Sequence, residues 1–194
     1  MQNNIKQDLK LFNSLIEDFL KEELKKPISN VILSNELAVK LDLSLSDNPM
    51  MLTSYKKELK KLLLSTPKSS SKLFFNQLFG GRHSKAVLGD LIAVFLNNSM
   101  ATYKIAGPQV GVEKEILKKV CQIIGYKDNS GGTFPTGGSM SNFMSLIMAR
   151  DKADLSVKNK GVKKKLVAYA SENAHYSIAK NVSFAGIGKD NIRY

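Results

Sequence analysis

Cysteine is almost missing from this chain of 194 residues: Cys121 is the only one. No intrachain disulfide can form, which excludes a disulfide-stapled secreted scaffold and points to a reducing compartment. Cys121 lies between Val120 and Gln122 in a helical pattern and reads as a core thiol, not a nucleophile. Long apolar runs are missing too. The longest, residues 91–96, is far short of the roughly 20 residues that cross a bilayer. The first 24 residues alternate charged and apolar groups, unlike a signal peptide. A soluble, cytoplasmic protein with no membrane partner is expected. Arginine is scarce: within a net charge of +12, Arg82, Arg150 and Arg193 are the only guanidinium groups. Such a charge permits acidic partners. Dispersed lysine is the composition of a solubilising surface, however, and no nucleic-acid partner is expected. The densest group, Lys158, Lys160, Lys163, Lys164 and Lys165, brackets Asn159 and Gly161 with no aromatic residue between them, and reads as a solvated loop. With two histidines and one cysteine, no metal site is expected. Repeats and low-complexity segments are absent.

What is present is enough apolar material, 43% of residues, for one domain with a core. Ile5, Leu9, Phe12, Ile16, Phe19 and Leu20 recur at helical spacing, and Pro27 follows. A second helical pattern runs over 51–64. Pro67 and the serines at 69, 70 and 71 then make a linker-like break. Residues 1–70 therefore read as a helical N-terminal arm whose apolar stripe needs a partner surface, its own body or a second subunit. From residue 71 the pattern changes. A short apolar stretch over 74–78 precedes helices over 85–97 and 113–124, the latter closed by Gly125. Thr133-Phe134 leads as a strand end into a glycine turn and a helix over 139–152. Residues 166–170 read as a buried strand, 175–185 as a helix, and 191–194 as the start of another strand. This alternation is the pattern of a parallel α/β sheet, so 71–194 is expected to be an α/β domain. The sheet is still accumulating at Tyr194. The 194-residue polypeptide is accordingly expected to be incomplete, and marginally stable or prone to aggregate on its own.

The most informative stretch is 134–142, Phe-Pro-Thr-Gly-Gly-Ser-Met-Ser-Asn. Paired glycines let backbone approach a ligand, and the first helical turn offers N–H groups with no internal partner. With the helix dipole and the hydroxyls of Ser139 and Ser141, they make a phosphate site. The plainer alternative is a glycine turn with a serine N-cap and no ligand. Further on, Lys165-Leu-Val-Ala-Tyr-Ala-Ser171 ends a strand and His175 opens a helix. His175 is thus expected at the strand's C-terminal edge, where open α/β sheets bind ligands, and the glycine turn at the same edge of the preceding strand.

Gly137-Gly138-Ser139-Met140-Ser141-Asn142, the segment Ser171-Glu172 to His175-Tyr176-Ser177, and Ala185-Gly186-Ile187-Gly188-Lys189-Asp190 together resemble the group II pyridoxal-phosphate-dependent amino acid decarboxylases. The resemblance leans to the glutamate and cysteine-sulfinate branch. Phe74-Phe75-Asn76-Gln77-Leu78 and Asn98-Ser99-Met100 with Thr102-Tyr103 extend it upstream, so that it covers residues 72–194. It implies a carboxy-lyase working on a small amino acid with pyridoxal 5'-phosphate. The implied fold is α/β, a truncated large domain of a fold-type I pyridoxal-phosphate-dependent transferase, with a parallel-rich sheet flanked by helices. By the same resemblance, Gly137, Gly138 and Ser139 hold the cofactor phosphate. His175 stacks on the pyridine ring and takes part in proton transfer at the α-carbon. Gln77 lies near the substrate, in a partner subunit's site. The implied partner is a second copy of the chain or a complementing C-terminal fragment.

The chain departs from that pattern in one decisive way. The family's Schiff-base lysine stands in a His-Lys dipeptide, following an aspartate that pairs with the pyridine nitrogen. The only histidines here are followed by Ser84 and Tyr176. Ser71-Lys72 stand where the family has His-Pro, and Gly107 replaces an expected proline, which is shifted to Pro108. The chain alone is therefore expected to be inactive. The alternative is a non-catalytic dimerisation or regulatory module derived from such an enzyme.

Overall fold

The computed structural model describes residues 2–25, 27–29, 32–76 and 78–194, and the chain packs as two compact units, Met1–Asn97 and Asn98–Tyr194. In the first unit, helix α1 (Gln2–Glu23) packs on α3 (Leu52–Ser65), with a single helical turn, α2 (Leu37–Lys40), between them in sequence. Leu15 and Phe19, one turn apart on one face, are what α1 buries. The expected apolar stripe is only partly used, since Ile5, Leu9, Phe12 and Leu20 are exposed. α3 accompanies α1 from Leu52 and Lys56 beside Leu11 and Ser14 to Lys60 beside Asp18, so its packing covers only part of the width of the stripe.

Polar contacts fix the C-terminal end of α1. Lys60 Nζ lies 2.6 Å from Asp18, while Arg82 pairs with Glu23 and sits 5.5 Å from the Phe19 ring centre. The break over 67–71 is tied down as well. The Lys68 N–H donates to the Ile28 carbonyl and its ammonium to the Lys25 carbonyl, both at 2.9 Å, and Lys68 is buried. Residues 74–76 and 78 belong to no helix or strand, and the Leu78 N–H donates to Asn76 Oδ1 at 2.6 Å. Helix α4 (Ser84–Leu96) matches expectation to within a residue and ends at Asn97 in the left-handed conformation. It is apolar nearly all round, a composition that belongs in a core. Yet Val87, Leu88, Leu91, Ile92, Val94, Phe95 and Leu96 are all exposed.

The second unit begins with α5 (Tyr103–Ala106) and α6 (Pro108–Ile124). Gly107 between them has φ +58° and ψ −130°, which the ring of a proline forbids. The departure at this position is therefore built into the backbone, with Pro108 taking the first helical position that suits it. Gly125 closes α6 in the left-handed conformation. Its N–H bonds the Gln122 carbonyl and that of Tyr126 the Cys121 carbonyl, the two bonds of a Schellman cap.

The remaining elements are α7 (Gly138–Ala153), α8 (Val157–Lys160), strand β1 (Ala168–Tyr169), α9 (Ser177–Phe184) and strand β2 (Ile192–Arg193). The strands pair in parallel, Ala168 against Ile192 and Tyr169 against Arg193. Val182, Ala185, Ile187 and Ile192 form the core of this unit. Leu146 and Ile147 of α7, Leu166, Ala168 and Ala170 around β1, and Ile178 and Ala179 of α9 pack against it. Two expectations are corrected. Thr133-Phe134 joins no strand; its hydrogen bonds go to the Glu113 carboxylate of α6, from the Thr133 hydroxyl and the Phe134 N–H, each at 3.2 Å. Part of the lysine-rich loop is the helical turn α8. It is started by the buried Asp154, whose Oδ1 accepts from the N–H and hydroxyl of Ser156 at 3.0 and 2.8 Å.

Candidate functional site

The glycine turn opens α7. Gly137 has φ +124° and ψ 166°, a backbone state that side chains other than hydrogen rarely adopt. Its carbonyl accepts from the N–H groups of Met140 and Ser141, starting the helix. The N–H groups of Gly138 and Ser139 have no acceptor among the described residues. A Cβ built on Gly137 or Gly138 meets no atom within 4 Å, so the space over the turn is open. The two serines differ. The Ser141 hydroxyl donates back to the Gly137 carbonyl at 3.2 Å, whereas the Ser139 hydroxyl has no partner among the described residues. Of the two hydroxyls expected to face an anion, only that of Ser139 is free to donate. Two unspent N–H groups, one hydroxyl and the N-terminus of a 16-residue helix suit a phosphate.

His175 follows β1 through a turn in which the Ala174 N–H bonds the Ser171 carbonyl. It sits just ahead of α9, as its place after a strand suggested. Nδ1 lies 2.9 Å from the Ser177 hydroxyl and 3.2 Å from the Ser177 N–H. The Tyr176 ring is 4.3 Å away, centre to centre, and tilted by 36°, so one imidazole face is covered. A cleft of about 250 Å³ opens beside His175, lined by Glu172, Ala174, Tyr176, Ile178, Ala179 and Tyr194. Since Tyr194 follows β2, the cleft lies at the C-terminal end of the parallel pair.

The packing of α7 on α9 links the two motifs. Asn181 donates to the Ser139 carbonyl at 2.9 Å, and Asn142 donates to the Ser177 hydroxyl, also at 2.9 Å. The glycine turn and His175 thus belong to one hydrogen-bonded assembly. Residues 137–139 do not line the cleft beside His175, however. Gln77 lies outside the described residues. Asn142, Ser177 and Asn181, which hold the assembly together, were not singled out by sequence reasoning. Their one signal is a polar residue among apolar neighbours in a helix, where a buried polar group requires a partner.

Comparison with known proteins agrees with these motifs. The family described as the pyridoxal-dependent decarboxylase conserved domain matches residues 35–194. An acidic amino acid decarboxylase of Xenopus tropicalis is 34% identical over 156 residues, 79% of this chain and 30% of that protein. The cysteine sulfinic acid decarboxylase of Mus musculus is 41% identical over 123 residues, 62% of this chain and 24% of that one. The crystal structure of mouse CSAD superposes with a TM-score of 0.92 at 29% identity, covering 98% of this chain and 41% of that chain. The chain thus spans less than a third of the length of these curated relatives. By the extent of the family match, the chain belongs to the pyridoxal-dependent decarboxylases.

Proposed function

We propose that this chain supplies the phosphate-binding turn and ring-stacking histidine of a decarboxylase acting on a small amino acid of the glutamate or cysteine-sulfinate type. In this reading Gly138 and Ser139 hold the phosphate of pyridoxal 5'-phosphate through their N–H groups and the Ser139 hydroxyl. Gly137 shapes the turn beneath it. The imidazole of His175, with one face against Tyr176, offers its other face to the pyridine ring. The cofactor, when bound, supplies an electron sink for the loss of a carboxylate from an amino acid. The observation that carries the reading is the open space and unspent N–H groups at residues 137–139, tied by α7 and α9 to the segment bearing His175.

The chain has no His-Lys dipeptide, so decarboxylation by it alone is not expected. A second copy, or a polypeptide supplying the C-terminal part, is the proposed partner. The exposed apolar face of α4 supports this, because such a helix is stable only under cover. The role of Gln77 near the substrate, in a partner's site, stays a proposal from the resemblance, as does a cytoplasmic location. Consistent with that location, no helix among the described residues is long and apolar enough to cross a membrane.

The test is a pyridoxal phosphate titration followed by absorbance, on the chain alone and mixed with a polypeptide carrying the remainder of a relative. Carbon dioxide release from glutamate or cysteine sulfinate is measured in parallel. Cofactor binding with release only in the mixture is expected. Binding without release in either sample favours the non-catalytic module. Absence of cofactor binding in both overturns the assignment.

A further inference from the structure

We infer that Asn142 and Ser177 are positioning residues that fix the tautomer of His175, leaving its Nε2–H directed outward as a hydrogen-bond donor. One group beside His175 has a hydrogen-bond direction that is not adjustable. The backbone N–H of Ser177 can only donate, and it lies 3.2 Å from His175 Nδ1. Nδ1 must therefore present a lone pair. The Ser177 hydroxyl, 2.9 Å from the same nitrogen, then has to donate its hydrogen there. Its oxygen is left to accept, and Asn142 Nδ2, at 2.9 Å, is the donor that fills it. Every hydrogen in the chain Asn142, Ser177, His175 is thus oriented by a single peptide group. Ser177 is fully buried, so its hydroxyl meets these two partners and not water, while His175 itself is exposed.

With Nδ1 spent, the neutral imidazole carries its proton on Nε2, which has no protein partner among the described residues, and His175 lines the cleft. The ring is therefore set up to donate to an anionic oxygen entering the cleft, such as a carboxylate, and is not poised to accept a proton there. The relay itself follows from protein geometry alone. Its use toward a ligand rests on the proposed cofactor site.

The test is nitrogen NMR of the 15N-labelled chain without cofactor, the two histidines being told apart with His175→Gln. Long-range proton–nitrogen correlations are expected to show a bare Nδ1 and a protonated Nε2 on His175. Ser177→Ala removes one of two donors, so the Nδ1 resonance should move toward that of an unbonded imine nitrogen. Asn142→Asp substitutes an acceptor for the donor. It should turn the Ser177 hydroxyl toward the new carboxylate, leaving the Ser177 N–H as the one donor to Nδ1 and moving the Nδ1 resonance toward that of an unbonded imine nitrogen. Asn142 is only half-buried, which keeps this arm usable if the alanine variant does not fold. A wild-type Nδ1–H, or nitrogen resonances of His175 that neither variant moves, would overturn the relay. The pyridoxal phosphate titration is separate. Failure to bind with the tautomer as expected refutes the cofactor reading and leaves the relay standing.

Discussion

Replacing Gly138 by alanine separates a structural role for the glycine turn from a binding role. Gly137 cannot serve, since its φ of +124° makes any side chain there strained and loss of binding would merely report misfolding. Gly138 has no such constraint: it is absent from the glycines with positive φ, and a Cβ built on it meets nothing within 4 Å. Alanine also loses less backbone freedom than glycine on entering a helix, an advantage of up to about 1 kcal/mol. The folded chain should therefore be as stable as the parent, or slightly more so. The ligand should fare differently. A methyl group beside the Gly138 N–H crowds an anion that must approach within hydrogen-bonding distance. Losing one charge-assisted hydrogen bond costs about 1.5–3 kcal/mol. That is a ten- to hundredfold weaker affinity at roughly 1.4 kcal/mol per decade. A thermal melt by circular dichroism and a titration with pyridoxal phosphate measure the two halves, with Gly138→Val as the graded second step. Unchanged affinity in both variants, with helix content retained, would refute the placement of the phosphate at this turn.

Two further outcomes follow from the second unit. The hydroxyl and N–H of Ser156 hold the Asp154 carboxyl below the ordinary aspartate range, with Lys164 at 3.8 Å adding to the effect. The unfolded chain then binds more protons in acid, so this contribution is present at neutral pH and is lost as pH falls through the depressed value. Asp154→Asn should lower stability at pH 7 and flatten its fall below about pH 4, read from denaturant midpoints across pH. Asp18 and Glu22 are also held low, by Lys60 and Lys25, but these exposed pairs are screened by solvent and should contribute less. Val182 is fully buried at the centre of its cluster. Val182→Ala should cost about 1.5–3 kcal/mol, measured by circular dichroism since the chain has no tryptophan. A cost under 0.5 kcal/mol would show that the cluster is not the core of this unit.

Elements bounded by local chemistry were legible. Gly125 was legible as the end of α6 because it suits the left-handed cap, whereas the helix expected from 113 begins at Pro108, whose fixed φ suits the first helical position. Elements that depend on a distant neighbour were not. Residues 166–170 have a strand's composition, yet the strand is Ala168–Tyr169, with the Ala170 N–H bonding the Arg193 carbonyl beyond it, because β2 offers two residues. Thr133-Phe134 turns to the Glu113 carboxylate because no strand lies beside it among the described residues. The α1 stripe failed for the same reason, since periodicity marks a face but does not say how much of its width a neighbouring helix will cover.

The candidate site divides along the same line. The glycine turn could be read because the conformational need of Gly137 is written into that residue itself. His175 could be read because it follows a strand. The groups that join these motifs lie 35 and 42 positions apart, Asn142 to Ser177 and Ser139 to Asn181, and each is an ordinary polar residue on its own helix. Only the packing of α7 on α9 turns them into partners. Burial then makes the pairing obligatory, because Ser177 and Asn181 cannot reach water and an unmet hydrogen bond there costs about 1–3 kcal/mol. Local sequence therefore encodes the chemical groups of this site, while the joining of the glycine turn to the segment bearing His175 is set by how two helices meet.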